Sequence, residues 1–204
     1  MNLPNKLTIL RIIMTPVFLL LAVPLPINLP DAGQFGGLAR ALDLYNGFVM
    51  SSSGKYLAGV VFLLAFLTDA LDGYIARKYN MITEFGKFLD PIADKLLVAA
   101  ALIALVERGD VSSWAAVVII SREFIITGFR LVAASGTGLV IAAGTMGKLK
   151  TVAQFIALAL ALFDNLPLSL VSNIPFSDIF MFVAVALTVA SGAQYIIVNR
   201  HILK

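Results

Sequence analysis

An all-α integral membrane protein with six transmembrane helices is the fold class this chain predicts, and three observations carry it. Of its 204 residues, 60% are hydrophobic and 13% charged, against about 45–50% apolar and about 25% charged in a soluble globular chain. The apolar residues fall into long runs, each near the ~20 residues needed to cross about 30 Å of hydrocarbon. Almost nothing is left for a separate soluble domain, so residues 1–204 read as one membrane domain.

Taken in order, the spans are expected at about 7–25, 55–77, 86–107, 111–132, 149–170 and 177–198. Pro24, Pro26 and Pro30 close the first, because proline lacks the amide donor and clashes with the preceding turn. Residues 26–54 form the longest connection. Within it, Leu38–Phe48 is amphipathic and suits either a helix lying at the interface or an ordinary loop. Lys148 and Lys150 open the fifth span. There is no recognisable internal repeat, and Met1–Lys6 leads into the first span without the small-residue cleavage site of a signal peptide.

Lysine and arginine positions orient the spans. With the N-terminus in the cytoplasm, six spans leave twelve of the fifteen basic residues on the cytoplasmic side and only Arg40, Lys55 and Arg108 opposite, as the positive-inside rule requires. Both termini are then cytoplasmic, in a multi-pass protein of the cell membrane. Whole chemistries are excluded at the same time. With no cysteine, thiolate metal sites and cysteine nucleophiles are absent. The single histidine, His201, sits at the C-terminal end and argues against a His-based zinc site or a Ser-His triad.

What remains is a set of four carboxylates, Asp69, Asp72, Asp90 and Asp94, inside otherwise greasy segments. An aspartate near the bilayer centre costs roughly 2.5–3.5 kcal/mol, so intramembrane carboxylates mark function by default. Asp69 and Asp72 are spaced i,i+3 and Asp90 and Asp94 i,i+4, so each pair shares one helix face. Two adjacent helices presenting two carboxylates each can form an all-oxygen cage. Such a cage suits a hard divalent cation, Mg²⁺ first and Mn²⁺ second.

Around those aspartates, Gly73, Ala76, Arg77 and Gly86 complete a pattern of eight residues at set spacings. The pattern resembles the signature of the CDP-alcohol phosphatidyltransferase family, with every position filled. The resemblance implies six membrane helices per subunit, a homodimer among membrane lipids, and two divalent ions at the cytoplasmic face. It implies transfer of a phosphatidyl group from CDP-diacylglycerol to an alcohol, releasing CMP; no nucleic-acid partner is expected. Carried over residue by residue, Asp69, Asp72 and Asp90 ligate the first ion, and Asp69, Asp90 and Asp94 the second. Asp94 is also the general base that accepts the proton of the attacking hydroxyl. Gly73 and Ala76 let a nucleotide lie close to the helix, Arg77 suits the pyrophosphate, and Thr83 matches a hydroxyl position that contacts the CDP moiety.

A second constellation addresses the acceptor. Arg122 and Arg130 are eight residues apart and lie within about 80° of one face of the fourth span. Lys148 and Lys150 start the next span from the same side. Together the four suit an acceptor that carries a phosphate. Other readings stand beside this one: Arg122 and Glu123 also suit an ion pair, and the two lysines also suit topology anchors. These blocks, with Asn5, Thr8 and Arg11, resemble the branch of the family whose acceptor is sn-glycerol 3-phosphate. That resemblance assigns Asn5, Thr8 and Arg11 to the CDP-diacylglycerol side of the site. An inositol phosphate acceptor and a cardiolipin-forming reaction are alternatives within the family. An ion-coupled transporter of an organic phosphate is the alternative of another class, although the polar cluster at one side and the lack of a repeat disfavour it.

Overall fold

Seven α-helices and one short 3₁₀ turn account for the secondary structure among the described residues, with no strand. A computed structural model describes residues 3–27, 35–78, 84–137 and 144–199; the side chains of residues 3–5, 69–77, 84–88, 90–91 and 131–137 lie outside the described set. The helices are α1 (Leu3–Ala22), α2 (Gly36–Met50), α3 (Ser52–Lys78), α4 (Glu84–Glu107), α5 (Ser113–Thr137), α6 (Thr145–Leu162) and α7 (Phe176–Val198). They fall into two units, Met1–Asp110 and Val111–Lys204.

In the first unit α1 packs on both α3 and α4. Its buried stripe is Thr8, Arg11, Thr15, Phe18 and Ala22, the three-four spacing of one helix face. The stripe is apolar at its C-terminal end, where Phe18 meets Phe62 of α3, and polar at its N-terminal end. Proline ends α1 as expected: the helix stops at Ala22, two residues before Pro24.

The connection at 26–54 contains α2, a helix of fifteen residues, so the amphipathic stretch is a helix rather than an ordinary loop. It is tied to the end of α1 by Asn46, whose side chain accepts from the Leu25 N–H at 2.8 Å and donates to the Leu25 carbonyl at 3.1 Å. Ser51 then separates α2 from α3. Its backbone is extended, and its hydroxyl accepts from the Gly54 N–H at 3.2 Å, the bond of an N-cap residue. The two helices bend by 67° there. Gly54 is required at the bend, since a Cβ would stand 2.3 Å from the Phe48 carbonyl oxygen. Arg108 satisfies the freed carbonyls at the end of α2, with Nη1 donating to Val49 at 2.7 Å and Nη2 to Met50 at 3.2 Å. Lys55 pairs with Asp110 at 2.8 Å. The end of α1, the start of α3 and the end of α4 therefore share one end of this unit. It follows that α3 runs antiparallel to α1 and α4, and Asp69, Asp72, Asp90 and Asp94 lie on the parts of α3 and α4 toward the opposite end.

Gly109 closes α4. Its φ of +77° is the left-handed conformation that favours glycine. The Gly109 N–H donates to Val106 at 3.0 Å and the Asp110 N–H to Leu105 at 2.9 Å, the paired bonds of a Schellman motif.

In the second unit α7 packs on α6 and α5. Ala153, Ala157 and Ala161 of α6 and Ala184 and Gly192 of α7 are among the buried residues. Small residues let helix backbones approach closely where hydrophobicity alone does not drive association. Phe182, Val189 and Ile197 of α7 point outward and are exposed. Among the described residues α6 and α7 are each long and apolar enough to cross a membrane, as is the bent α2–α3 pair if taken as one span. The fifth expected span, 149–170, is displaced: α6 starts at Thr145 and ends at Leu162. Asp164 and Asn165 follow with positive φ, 51° and 62°, and turn the chain. The apolar run continues past that turn in residues 166–171, which is why hydrophobicity alone reads on through it.

Candidate functional site

The aspartate pattern is divided between two helices of one unit. Asp69 and Asp72 occupy the late turns of α3, and Asp90 and Asp94 the early turns of α4. The side chains of Asp69, Asp72, Gly73, Ala76, Arg77 and Asp90 lie outside the described residues, as does Thr83 as a whole. Asp94 is described: its carboxylate is 45% exposed and lies 3.7 Å from the Lys95 ammonium. A pair that open to solvent contributes little to stability, so it leaves Asp94 available for other chemistry. Of the three residues predicted on α1, Thr8 and Arg11 are buried in its packed stripe, and the Asn5 side chain lies outside the described residues.

The second constellation takes definite shape within the Val111–Lys204 unit. Arg122 and Arg130 of α5 both line a cavity of about 190 Å³. Gly144 and Gly147, at the start of α6, form part of its wall, and Ser191, Gln194 and Tyr195 of α7 form another. Arg122 is held from three directions. Its Nη2 donates to Ser191 Oγ at 3.1 Å, its Nη1 donates to Glu123 Oε1 at 3.2 Å, and its aliphatic stem crosses Gly192. A Cβ on Gly192 would stand 3.3 Å from Arg122 Cγ, so the glycine makes room for the arginine. Arg130 lies over the Tyr195 ring, its guanidinium carbon 5.4 Å from the ring centre, a cation–π contact.

The two lysines part company. Lys150 is buried and donates to Glu123 Oε1, so it reaches the pocket's arginines through a shared carboxylate and does not line the cavity. Lys148 is exposed at the start of α6 and does not line it either. Among the described residues, two cations, Arg122 and Arg130, line the cavity and no carboxylate does; Glu123, beside it, is shared by Arg122 and Lys150, which leaves an excess of positive charge. A concave site with that balance suits an anion that presents several acceptor oxygens.

Sequence reasoning missed the α7 wall. Thr188, Ser191 and Tyr195 are spaced three and four apart, a polar stripe along an otherwise apolar helix. That stripe is the signal that could have found it.

The sequence model of the CDP-alcohol phosphatidyltransferases matches residues 1–190. The chain belongs to this family. Among relatives with assigned names, the CDP-diacylglycerol–glycerol-3-phosphate 3-phosphatidyltransferase of Bacillus subtilis (strain 168) is 47% identical over 204 residues, covering 100% of this chain and 97% of the relative. The protein of the same name from Rickettsia bellii (strain RML369-C) is 36% identical over 194 residues, covering 95% and 93%. That from Haemophilus influenzae (strain Rd) is 36% identical over 203 residues, covering 98% and 94%. As a member of the CDP-alcohol phosphatidyltransferases, the chain carries both constellations within stretches shared almost end to end with these relatives.

Proposed function

We propose that this chain transfers the phosphatidyl group of CDP-diacylglycerol to sn-glycerol 3-phosphate, forming phosphatidylglycerophosphate and CMP in phospholipid biosynthesis. The observation that carries this reading is the 47% identity, over the whole chain, to a relative named for that reaction. The eight-residue aspartate pattern supports the same reading.

In this reading the 1-hydroxyl of glycerol 3-phosphate attacks the phosphorus that bears the diacylglycerol. A new P–O bond forms, the P–O bond to CMP breaks, and the hydroxyl proton passes to Asp94. The oxygen-only donor set on α3 and α4 fits Mg²⁺, with Mn²⁺ second. Asp69, Asp72 and Asp90 would hold one ion, and Asp69, Asp90 and Asp94 another; such ions would supply charge neutralisation at the reacting phosphate. Asn5, Thr8, Arg11, Gly73, Ala76, Arg77 and Thr83 serve CDP-diacylglycerol. Arg122 and Arg130 bind the acceptor's phosphate directly, with Lys148 and Lys150 adding positive charge. The whole chain works as one catalytic domain with six spans, as a homodimer in the cell membrane, its site open to the cytoplasm.

The test is an acceptor screen with purified protein in detergent, CDP-diacylglycerol and Mg²⁺, following CMP release and the mass of the lipid product. Phosphatidylglycerophosphate from glycerol 3-phosphate is the expected result. Better use of inositol phosphate would replace the acceptor assignment. Absence of CMP release in detergent, with organic-phosphate uptake into sealed vesicles, would turn the reading to transport.

A further inference from the structure

Among the described residues that line the α5–α7 cavity, three side-chain atoms are buried without a hydrogen-bond partner: Arg122 Nε, Arg130 Nε and the Tyr195 hydroxyl. Each can donate a proton. Tyr195 is 8% exposed, its ring packs edge-on against Phe129 with centroids 5.6 Å apart, and its face carries the Arg130 guanidinium. All of those ring contacts would be available to phenylalanine. A buried hydroxyl with no partner is costly, and phenylalanine would avoid that cost. A tyrosine at this position therefore makes sense if a ligand completes its hydrogen bonding. The neighbouring orphaned donors are both on arginines, so the ligand they share is an anion with several acceptor oxygens.

We infer that the Tyr195 hydroxyl is an acceptor-binding group, donating to the phosphate of glycerol 3-phosphate beside Arg122 and Arg130. It recognises that phosphate from a second helix, since the arginines stand on α5 and Tyr195 on α7. The placement also gives the ring a second duty, holding Arg130 in position through the cation–π contact. This inference rests on the proposed transferase reading for the identity of the anion.

The test compares full-length wild type with Tyr195→Phe and Tyr195→Leu, measuring direct calorimetric binding of glycerol 3-phosphate and steady-state turnover with CDP-diacylglycerol. Tyr195→Phe keeps the ring and removes only the hydroxyl. It should weaken glycerol 3-phosphate binding and raise its KM about tenfold, the effect of losing a hydrogen bond to a charged group, while the KM for CDP-diacylglycerol stays within about twofold. Tyr195→Leu should weaken binding further, because Arg130 loses its aromatic support. Unchanged glycerol 3-phosphate binding in Tyr195→Phe overturns the inference whether or not turnover is seen, as does an equal rise in both KM values. A wild type that binds glycerol 3-phosphate but releases no CMP would instead sink the transferase reading and leave the binding comparison to decide Tyr195. A wild type that binds none overturns both.

Discussion

Phe18 of α1 and Phe62 of α3 stand with ring centroids 6.1 Å apart, and that contact sets the register of the two helices. In an antiparallel pair each residue back along one helix matches one forward along the other, at equal rise. Thr8 precedes Phe18 by as many residues as Asp72 follows Phe62, and Arg11 stands in the same relation to Asp69. The polar end of the α1 stripe thus falls level with the α3 aspartates. Arg11, at that level of the stripe, is only 1% exposed.

Metal dependence is the first expectation. Chelator should abolish CMP release, and Mg²⁺ or Mn²⁺ should restore it, because the four carboxylates of the proposed site would need cations to offset their repulsion. Asp69→Asn, Asp72→Asn and Asp90→Asn should each leave almost no turnover. Full activity in excess chelator would rule out the two-ion site.

Asp94→Asn separates a base from a simple binding group. Loss of a positioned base typically costs roughly 10²–10⁴-fold in rate. The kcat should therefore fall by that order while the KM for CDP-diacylglycerol changes much less. Normal kcat with weakened nucleotide binding would assign the base elsewhere.

For the acceptor pocket, Arg122→Ala and Arg130→Ala should raise the KM for glycerol 3-phosphate roughly ten- to hundredfold, with the KM for CDP-diacylglycerol nearly unchanged. Gly192→Val should reproduce part of that defect without touching a charge, because its side chain would displace the Arg122 stem. Gly192→Ala should fall between wild type and Gly192→Val. Titrating each variant with both substrates decides the matter; a Gly192→Val enzyme with unaltered acceptor KM would show that Arg122's position is not critical.

The cysteine-free chain makes topology directly measurable. Lys78 and Ser112 are both exposed, and the proposed six-span arrangement puts them on opposite faces of the membrane. In sealed inside-out vesicles, Lys78→Cys should react with an impermeant maleimide and Ser112→Cys should react only after the vesicles are opened. Equal reactivity in sealed vesicles, or the reverse order, would refute the arrangement.

Local relationships were legible in the sequence because helix geometry is nearly all they need. Composition alone marks a membrane protein. The i,i+3 and i,i+4 spacings alone put each aspartate pair on one face, once the segments are helical. Pro24 marks the end of the first span, since a missing amide donor acts on its own turn. The early end of α6 is also local, but the apolar residues that resume beyond Asp164 and Asn165 mask it.

Only the tertiary structure decided which distant residues meet. Ser191 reaches Arg122 across 69 positions of chain, and Lys150 turns to Glu123 across 27. The spacing of Arg122, Arg130, Lys148 and Lys150 grouped four cations, whereas packing put two at the cavity, paired one with a carboxylate and left one exposed. In a membrane protein the outward and inward faces of a helix are both apolar, so hydrophobic pattern cannot tell them apart. Small residues and the few polar groups set the packing face, and their partners are known only once the helices are assembled.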